Sequence, residues 1–320
     1  MRYNGSDFSA WQSMAYKKLV ELLGLESFEK CELQFTVEYE KDTPLWHETR
    51  FRFQSEDGWY VPGHFLTPQG AQGKLPVMIC LQGHSTGMHN SLGVAKFPGD
   101  EETQNGGDRK FAVIAAERGM CAVCIEQRCF GECGGKPDPK RDGLTETDCY
   151  SSSMTAILAG RTTVGERVWD VCRLIDVIEQ HFPVADMDRI YCMGNSGGGT
   201  TTFYAACIDK RIAACMPSCA LCTYADSIGG TYHCACNYIP NIAKYFDMGD
   251  LAGLIAPRKI VMVSGRYDRI FPIDGAKATF ELIQKMYTAA GVPDNCAWVI
   301  GNEGHRFYAA DAYPVFEKLT

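Results

Sequence analysis

Ser196 lies in Gly194-Asn195-Ser196-Gly197-Gly198, between an apolar run at 189–193 and a stretch of small residues at helical spacing. A buried strand that turns directly into a helix strains its central residue and forbids bulk two positions to either side. Glycines at 194 and 198 therefore fit a turn that exposes one serine oxygen at the edge of a sheet. They could also serve a phosphate or dinucleotide loop, but no Gly-Lys-Ser/Thr ending and no Gly-x-Gly-x-x-Gly spacing accompanies them. A serine is a weak nucleophile until a base takes its proton. Histidine, with a free pKa near ~6.5, can do so at neutral pH, and a buried aspartate fixes its tautomer and stabilises the imidazolium. Asp268 in "VMVSGRYDRIFP" and His305 in "WVIGNEGHRF" each follow an apolar run that reads as a strand.

Rivals lie close by. Asp274 stands where a helix N-cap is wanted, Glu303 belongs at a loop tip, and His233 has no strand to aim it. Acyl transfer also needs donors for a developing oxyanion. The backbone N–H of Gly197 supplies one, and that of His84, in the turn Gln82-Gly83-His84 after "PVMICL", supplies the second. The side chain of His84 reads as that of an ordinary turn histidine.

The elements that must position these groups follow from periodicity. An amphipathic N-terminal helix over 8–23 carries Trp11, Met14, Ala15, Leu19, Leu22 and Leu23 on one face and ends at Gly24. Two antiparallel strands meet at Asp57-Gly58. Strand and helix patterns then alternate to the end of the chain, specifying an α/β fold with a mostly parallel central sheet and helices on both faces. In such sheets chemistry gathers at the carboxyl ends of the strands. Ser196, Asp268 and His305 fall there in the order Ser…Asp…His of α/β-hydrolase triads. A single domain over 1–320 is expected, with an N-terminal helical extension (1–30) and loop insertions at 131–152 and 224–250 forming a cap near the site. The second insertion holds Tyr224, Tyr232, Tyr238, Ile239 and Tyr245. Tyr232 and Tyr238 are the substrate-contact candidates, since tyrosine offers a flat apolar face with a hydroxyl tip.

The 320 residues are 46 % hydrophobic and 22 % charged, ordinary for a globular protein, and the formal net charge of −8 argues against nucleic acid or an anionic membrane as partner. No window approaches a spanning length of apolar residues, and "MRYNGSDFSAWQSM" lacks the pattern of a signal peptide, so a cytoplasmic location is expected. The expected partner is a small ester molecule, with self-association into a homo-oligomer left open.

Sixteen cysteines are many for that compartment. Those at 80, 121, 124, 172, 192 and 207 sit in apolar runs, where cysteine acts as a small hydrophobe. Cys219, Cys222, Cys234 and Cys236 could be drawn with His233 into a zinc site, but the Cys-x-Cys gap and apolar flanks match structural zinc spacings poorly. The expectation is reduced thiols, no metal and no cofactor.

Over nearly its whole length the chain resembles the acetyl xylan esterase and dienelactone hydrolase-like branch of the α/β-hydrolases. The likeness is carried by "LQGHSTGMH", "EQRCFGECG", "GRTTVGERVWDVCRLIDVIE", "GNSGGG", "HCACNYIPNIAKYFDMGDLAGLIAPR", "GRYDRIFPI" and "GNEGHRF". It implies Ser196 as nucleophile, Asp268 as acid, His305 as base and the His84 and Gly197 amides as oxyanion hole. Glucuronoyl esterases carry an arginine after the serine, where this chain has Gly197, and dienelactone hydrolases proper use a cysteine nucleophile. The resulting expectation is a serine carboxylesterase removing small acyl groups, acetyl above all, from sugars or similar alcohols. The alternatives are a prolyl-oligopeptidase-like peptidase, although 320 residues leave no room for a propeller, and a non-catalytic hydrolase-fold binding protein, although no triad member is missing.

Overall fold

The computed structural model describes residues 1–134 and 149–320. Nine strands form one sheet: β1 (Thr36–Asp42), β2 (Trp46–Glu56), β3 (Trp59–Pro68), β4 (Leu75–Leu81), β5 (Cys121–Ile125), β6 (Ala185–Asn195), β7 (Ile212–Ser218), β8 (Lys259–Gly265) and β9 (Cys296–Gly301). Their order across the sheet is β1-β2-β3-β5-β4-β6-β7-β8-β9. β1, β2, β3 and β5 pair antiparallel in turn, with Asp57-Gly58 making the β2–β3 hairpin, while the pairings from β5 through β4 to β9 are parallel. This is the mixed, mostly parallel architecture of the α/β-hydrolase fold.

Among the described residues the helices are α1 (Phe8–Leu23), α2 (Asp100–Gly106), α3 (Phe111–Glu117), α4 (Cys149–Leu158), α5 (Thr163–His181), α6 (Gly197–Ile208), α7 (Ile242–Tyr245), α8 (Met248–Leu251), α9 (Ile273–Ala289) and α10 (Ala309–Leu319). β4 shows why both faces are covered. Val77, Ile79 and Leu81 enter the core formed with α1, α5, α6 and α9, whereas Met78 and Cys80 enter the core formed with α3 and α10. Side chains alternate across a strand, so a continuous apolar run needs a lid on each face. None of these helices is long and apolar enough to cross a membrane.

α1 ends where expected. Gly24 adopts φ +73° and donates to the carbonyls of Val20 and Glu21, a left-handed cap that glycine tolerates without a Cβ clash. Trp11, Ala15, Leu19 and Leu23 are buried, but Met14 is exposed and Leu22 only partly covered, so the apolar face is narrower than the sequence pattern suggests. Two other expectations need correction. Asp274 does not cap α9: Pro272 occupies that position, and Asp274 lies exposed in the first turn. The segment 224–250 is not an irregular loop, since it contains a single 3-10 turn at 235–237 followed by α7 and α8. Residues 135–148 of the first insertion lie outside the described residues, and its end runs into α4.

Candidate active site

The strand order reverses its direction of growth at β4, with β5 on one side and β6 on the other. In open parallel sheets such a switch point opens a crevice beyond the carboxyl ends of the flanking strands. The Gln82-Gly83-His84 turn leaves β4 there, and Ser196 leaves β6.

Ser196 has φ +58° and ψ −126°, a strained conformation for a residue with a side chain. Its backbone N–H donates to Ser218 O on β7 at 2.8 Å, and its carbonyl accepts from Thr200 N at 2.9 Å. Contacts around the turn leave no room for bulk. A Cβ on Gly194 would lie 2.5 Å from the Gly198 backbone, and one on Gly198 would lie 2.0 Å from Leu81 O. One on Gly83 would lie 2.8 Å from the Ser196 Cβ, so the β4 turn packs directly on the serine. The same hypothetical Cβ on Gly83 would lie 3.3 Å from Gly197 N, the first residue of α6, so the β4 turn and the start of α6 are close neighbours.

His305 and Asp268 are joined by a 2.7 Å contact between Nδ1 and Oδ2. Asp268 is buried, and its Oδ1 accepts from the backbone N–H groups of Ile270 (2.8 Å) and Phe271 (3.1 Å). Burial works against its charge, but the His305 ring and these two amides outweigh it and hold the carboxyl below its ordinary value. An ionised Asp268 can only accept, so a proton on His305 Nδ1 satisfies the contact, and that tautomer would carry no proton on Nε2. The Phe271 ring stacks on His305 at 5.9 Å and 12°. Cys219, one residue beyond the Ser218 that holds the serine backbone, comes close to both Asp268 and His305. In the sequence Phe271 has no assigned role, and Cys219 figures only as a candidate metal ligand.

The rivals are placed elsewhere. Glu303 pairs with Arg306, and His233 bonds Ser227 Oγ (2.9 Å) and Ile270 O (3.2 Å). His233 still borders the site, its ring 5.1 Å from that of Phe271. Of the aromatic and aliphatic residues named in 224–250, Tyr224 is buried and bonded to Tyr204, Ile239 is buried, and Tyr245 packs under Lys18 of α1. Only Tyr232 and Tyr238 are exposed. Tyr232 adjoins His233. Tyr238 faces a separate cavity of about 190 Å³ lined by Tyr224, Ile228 and Ile242.

Sequence reasoning assigned no role to Glu126, which follows β5 and is buried behind the β4 turn. Its oxygens accept from Met88 N at 3.1 and 3.2 Å and from Glu132 N at 3.2 Å. Burial, only partly offset by these amides, pushes its carboxyl up from 4.5 to about 7. Below pH 4.5 the group is protonated in both folded and unfolded states, so it contributes no pH dependence. Between pH 4.5 and 7 the folded state holds more protons, so stability falls as pH rises, by about 3 kcal/mol in all, and then levels off. Glu126→Gln should remove this component. Urea unfolding of both proteins at pH 5 and pH 8 should show a smaller loss for the variant. Equal losses would mean that Glu126 stays ionised when folded.

A model of the Abhydrolase family matches residues 2–309. A protein named as a hydrolase, YtaP of Bacillus subtilis (strain 168), is 24 % identical over 256 residues, covering 77 % of this chain and 78 % of its own. A structure from Bacteroides fragilis NCTC 9343, named as an acetyl xylan esterase, superposes with a TM-score of 0.77 at 18 % identity, over 98 % of this chain and 83 % of that one. A glucuronoyl esterase from Solibacter usitatus gives a TM-score of 0.70 at 14 % identity, over 98 % and 93 %. With a family model running through both the strained serine turn and the His305–Asp268 pair, the chain belongs to the Abhydrolase family.

Proposed function

We propose that this protein is a serine carboxylesterase that removes small acyl groups, acetyl above all, from sugars or similar alcohols. The observation that carries the reading is the His305–Asp268 bond, formed at the end of the sheet that also presents Ser196 at φ +58°. His305 Nε2 takes the hydroxyl proton as Ser196 Oγ attacks the ester carbonyl. The negative charge that develops on the carbonyl oxygen is met by the His84 and Gly197 amides. The imidazolium, held by Asp268, gives its proton to the departing alcohol and leaves an acyl-serine. Water, activated by the same ring, then releases the acid.

The short acyl preference is supported by the walls beside these donors. A Cβ on Gly197 would lie 3.3 Å from the His84 ring and 3.4 Å from Phe130, so the space over Gly197, next to the serine, is narrow. The same crowding disfavours the arginine that glucuronoyl esterases carry after the serine. Exposed Tyr232, beside His233, is the candidate face for the sugar, and Tyr238 a more distant one. In a series of aryl esters, kcat/KM should fall by roughly tenfold or more from acetyl to octanoyl, as expected when added methylenes have no pocket to fill. Acetate should be released from acetylated xylo-oligosaccharides. A higher kcat/KM for octanoyl esters, with no acetate released from the sugar, would point to a lipid or xenobiotic ester.

A further inference from the structure

The five-residue set drawn from sequence spacing does not assemble. Cys219 Sγ contacts Arg306 O, Cys222 Sγ contacts Pro272 O, and His233 turns to Ser227. Cys234 and Cys236 instead meet two residues from distant parts of the chain, His84 of the β4 turn and Cys149 at the start of α4. Cys236 Sγ lies 3.3 Å from His84 Nε2 and 3.4 Å from Cys234 Sγ, and Cys149 Sγ lies 3.7 Å from the same His84 nitrogen. The four atoms all fall within 4.8 Å of one another. A zinc tetrahedron with Zn–S near 2.3 Å and Zn–N near 2.0 Å has edges of about 3.5–3.8 Å, and three of the six edges, at 3.3, 3.4 and 3.7 Å, stand close to that spacing.

A second observation concerns charge. Arg167 is 2 % exposed, and no carboxylate pairs with it among the described residues. Its Nε and Nη2 donate to Arg128 O, while Nη1 lies 3.4 Å from Cys236 Sγ and Nη2 3.9 Å from Cys149 Sγ. A buried guanidinium needs a negative partner. Three thiolates and one neutral imidazole around a divalent ion carry a net charge of −1, which Arg167 would balance.

We propose that His84 Nε2, Cys149 Sγ, Cys234 Sγ and Cys236 Sγ bind one zinc ion, with Arg167 as the buried counter-charge. Binding displaces the three thiol protons to solvent and changes no oxidation state. Four protein ligands leave no open position, so the ion is structural rather than a Lewis acid for the ester. It would tie three segments to one point: the β4 turn that packs on Ser196, the start of α4, and the 234–236 turn. Cys129 lies in the same cluster of buried residues as Cys149 and Cys236 and is the natural rival to His84 as fourth ligand.

The test is metal content, read independently of any esterase activity. Protein expressed with zinc in the medium and purified without chelator should carry about one zinc per chain by elemental analysis. Stripped, reduced protein titrated with cobalt(II) should develop the thiolate-to-cobalt charge-transfer band of a three-thiolate site. Cys236→Ser should lower zinc content by roughly tenfold or more. Should that variant not fold, His84→Ala, which alters an exposed side chain, gives the second reading. It should retain the charge-transfer band at lowered metal affinity, and unchanged affinity would overturn the assignment of His84. Wild-type protein holding less than about a tenth of an equivalent of zinc, with no charge-transfer band on adding cobalt(II), would overturn the site. A disulfide among Cys149, Cys234 and Cys236 in freshly purified protein would overturn it equally.

Discussion

Ser196→Ala is expected to lower kcat by about 10⁴- to 10⁶-fold, the range found when a triad nucleophile is removed, while the melting temperature stays nearly unchanged. The two effects separate because the backbone, not the hydroxyl, anchors this turn. Ser196 N still donates to Ser218 O, and its carbonyl still accepts from Thr200 N. A companion variant sharpens the point. Ser196→Gly should be as inactive as the alanine variant but more stable by about 1 kcal/mol, because glycine relieves the strain of φ +58°. Steady-state kinetics on an acetyl ester, with thermal unfolding of all three proteins, check both halves. Residual activity within tenfold of wild type would remove Ser196 from the chemistry.

The second large effect is expected at Asp268. Its Oδ1 is held by two backbone donors, Ile270 N and Phe271 N, so an asparagine here is oriented with its oxygen toward them. The amide NH₂ then faces His305 Nδ1 and donates to it, forcing the ring proton onto Nε2, the atom needed as base. Asp268→Asn should therefore cost on the order of 10⁴ in kcat with a small change in KM, as a wrong tautomer does elsewhere. Asp274→Asn alters an exposed first-turn residue of α9 and should leave kcat within about twofold, with a stability change below about 1 kcal/mol. Interchanged phenotypes would reassign the acid.

What could be read in the sequence was what repeats at short range. β4, β5, β6, β7, β8 and β9 announce themselves as apolar runs, and α5 and α9 by an apolar stripe, because burial on one or two faces imprints a period. Ser196, Asp268 and His305 stood out as candidates since the ends of such runs are where a parallel sheet exposes side chains, and the structure pairs the last two of them. α4 was missed because "CYSSSMTAIL" buries only Cys149, Ser153 and Ala156, leaving almost no stripe to detect. Which tyrosines of 224–250 face solvent could not be read, because tyrosine suits both core and surface. Tyr224 serves the core, and nothing in its neighbours distinguishes it from exposed Tyr232. The burial of Glu126 against Met88, and the meeting of Cys234 and Cys236 with His84 and Cys149, could not be read for a different reason. Met88, His84 and Cys149 come from elements distant in the chain, and only the folded sheet brings them together.

The central claim is that Ser196, activated by His305, is the residue acylated during turnover. Treatment of the folded protein with a fluorophosphonate, followed by peptide mass spectrometry, tests it most directly. One adduct per chain is expected, on Ser196, formed in step with loss of esterase activity, absent from Ser196→Ala and strongly slowed in Asp268→Asn. An adduct on another residue with Ser196 unmodified, or complete inactivation without any adduct at Ser196, would contradict it.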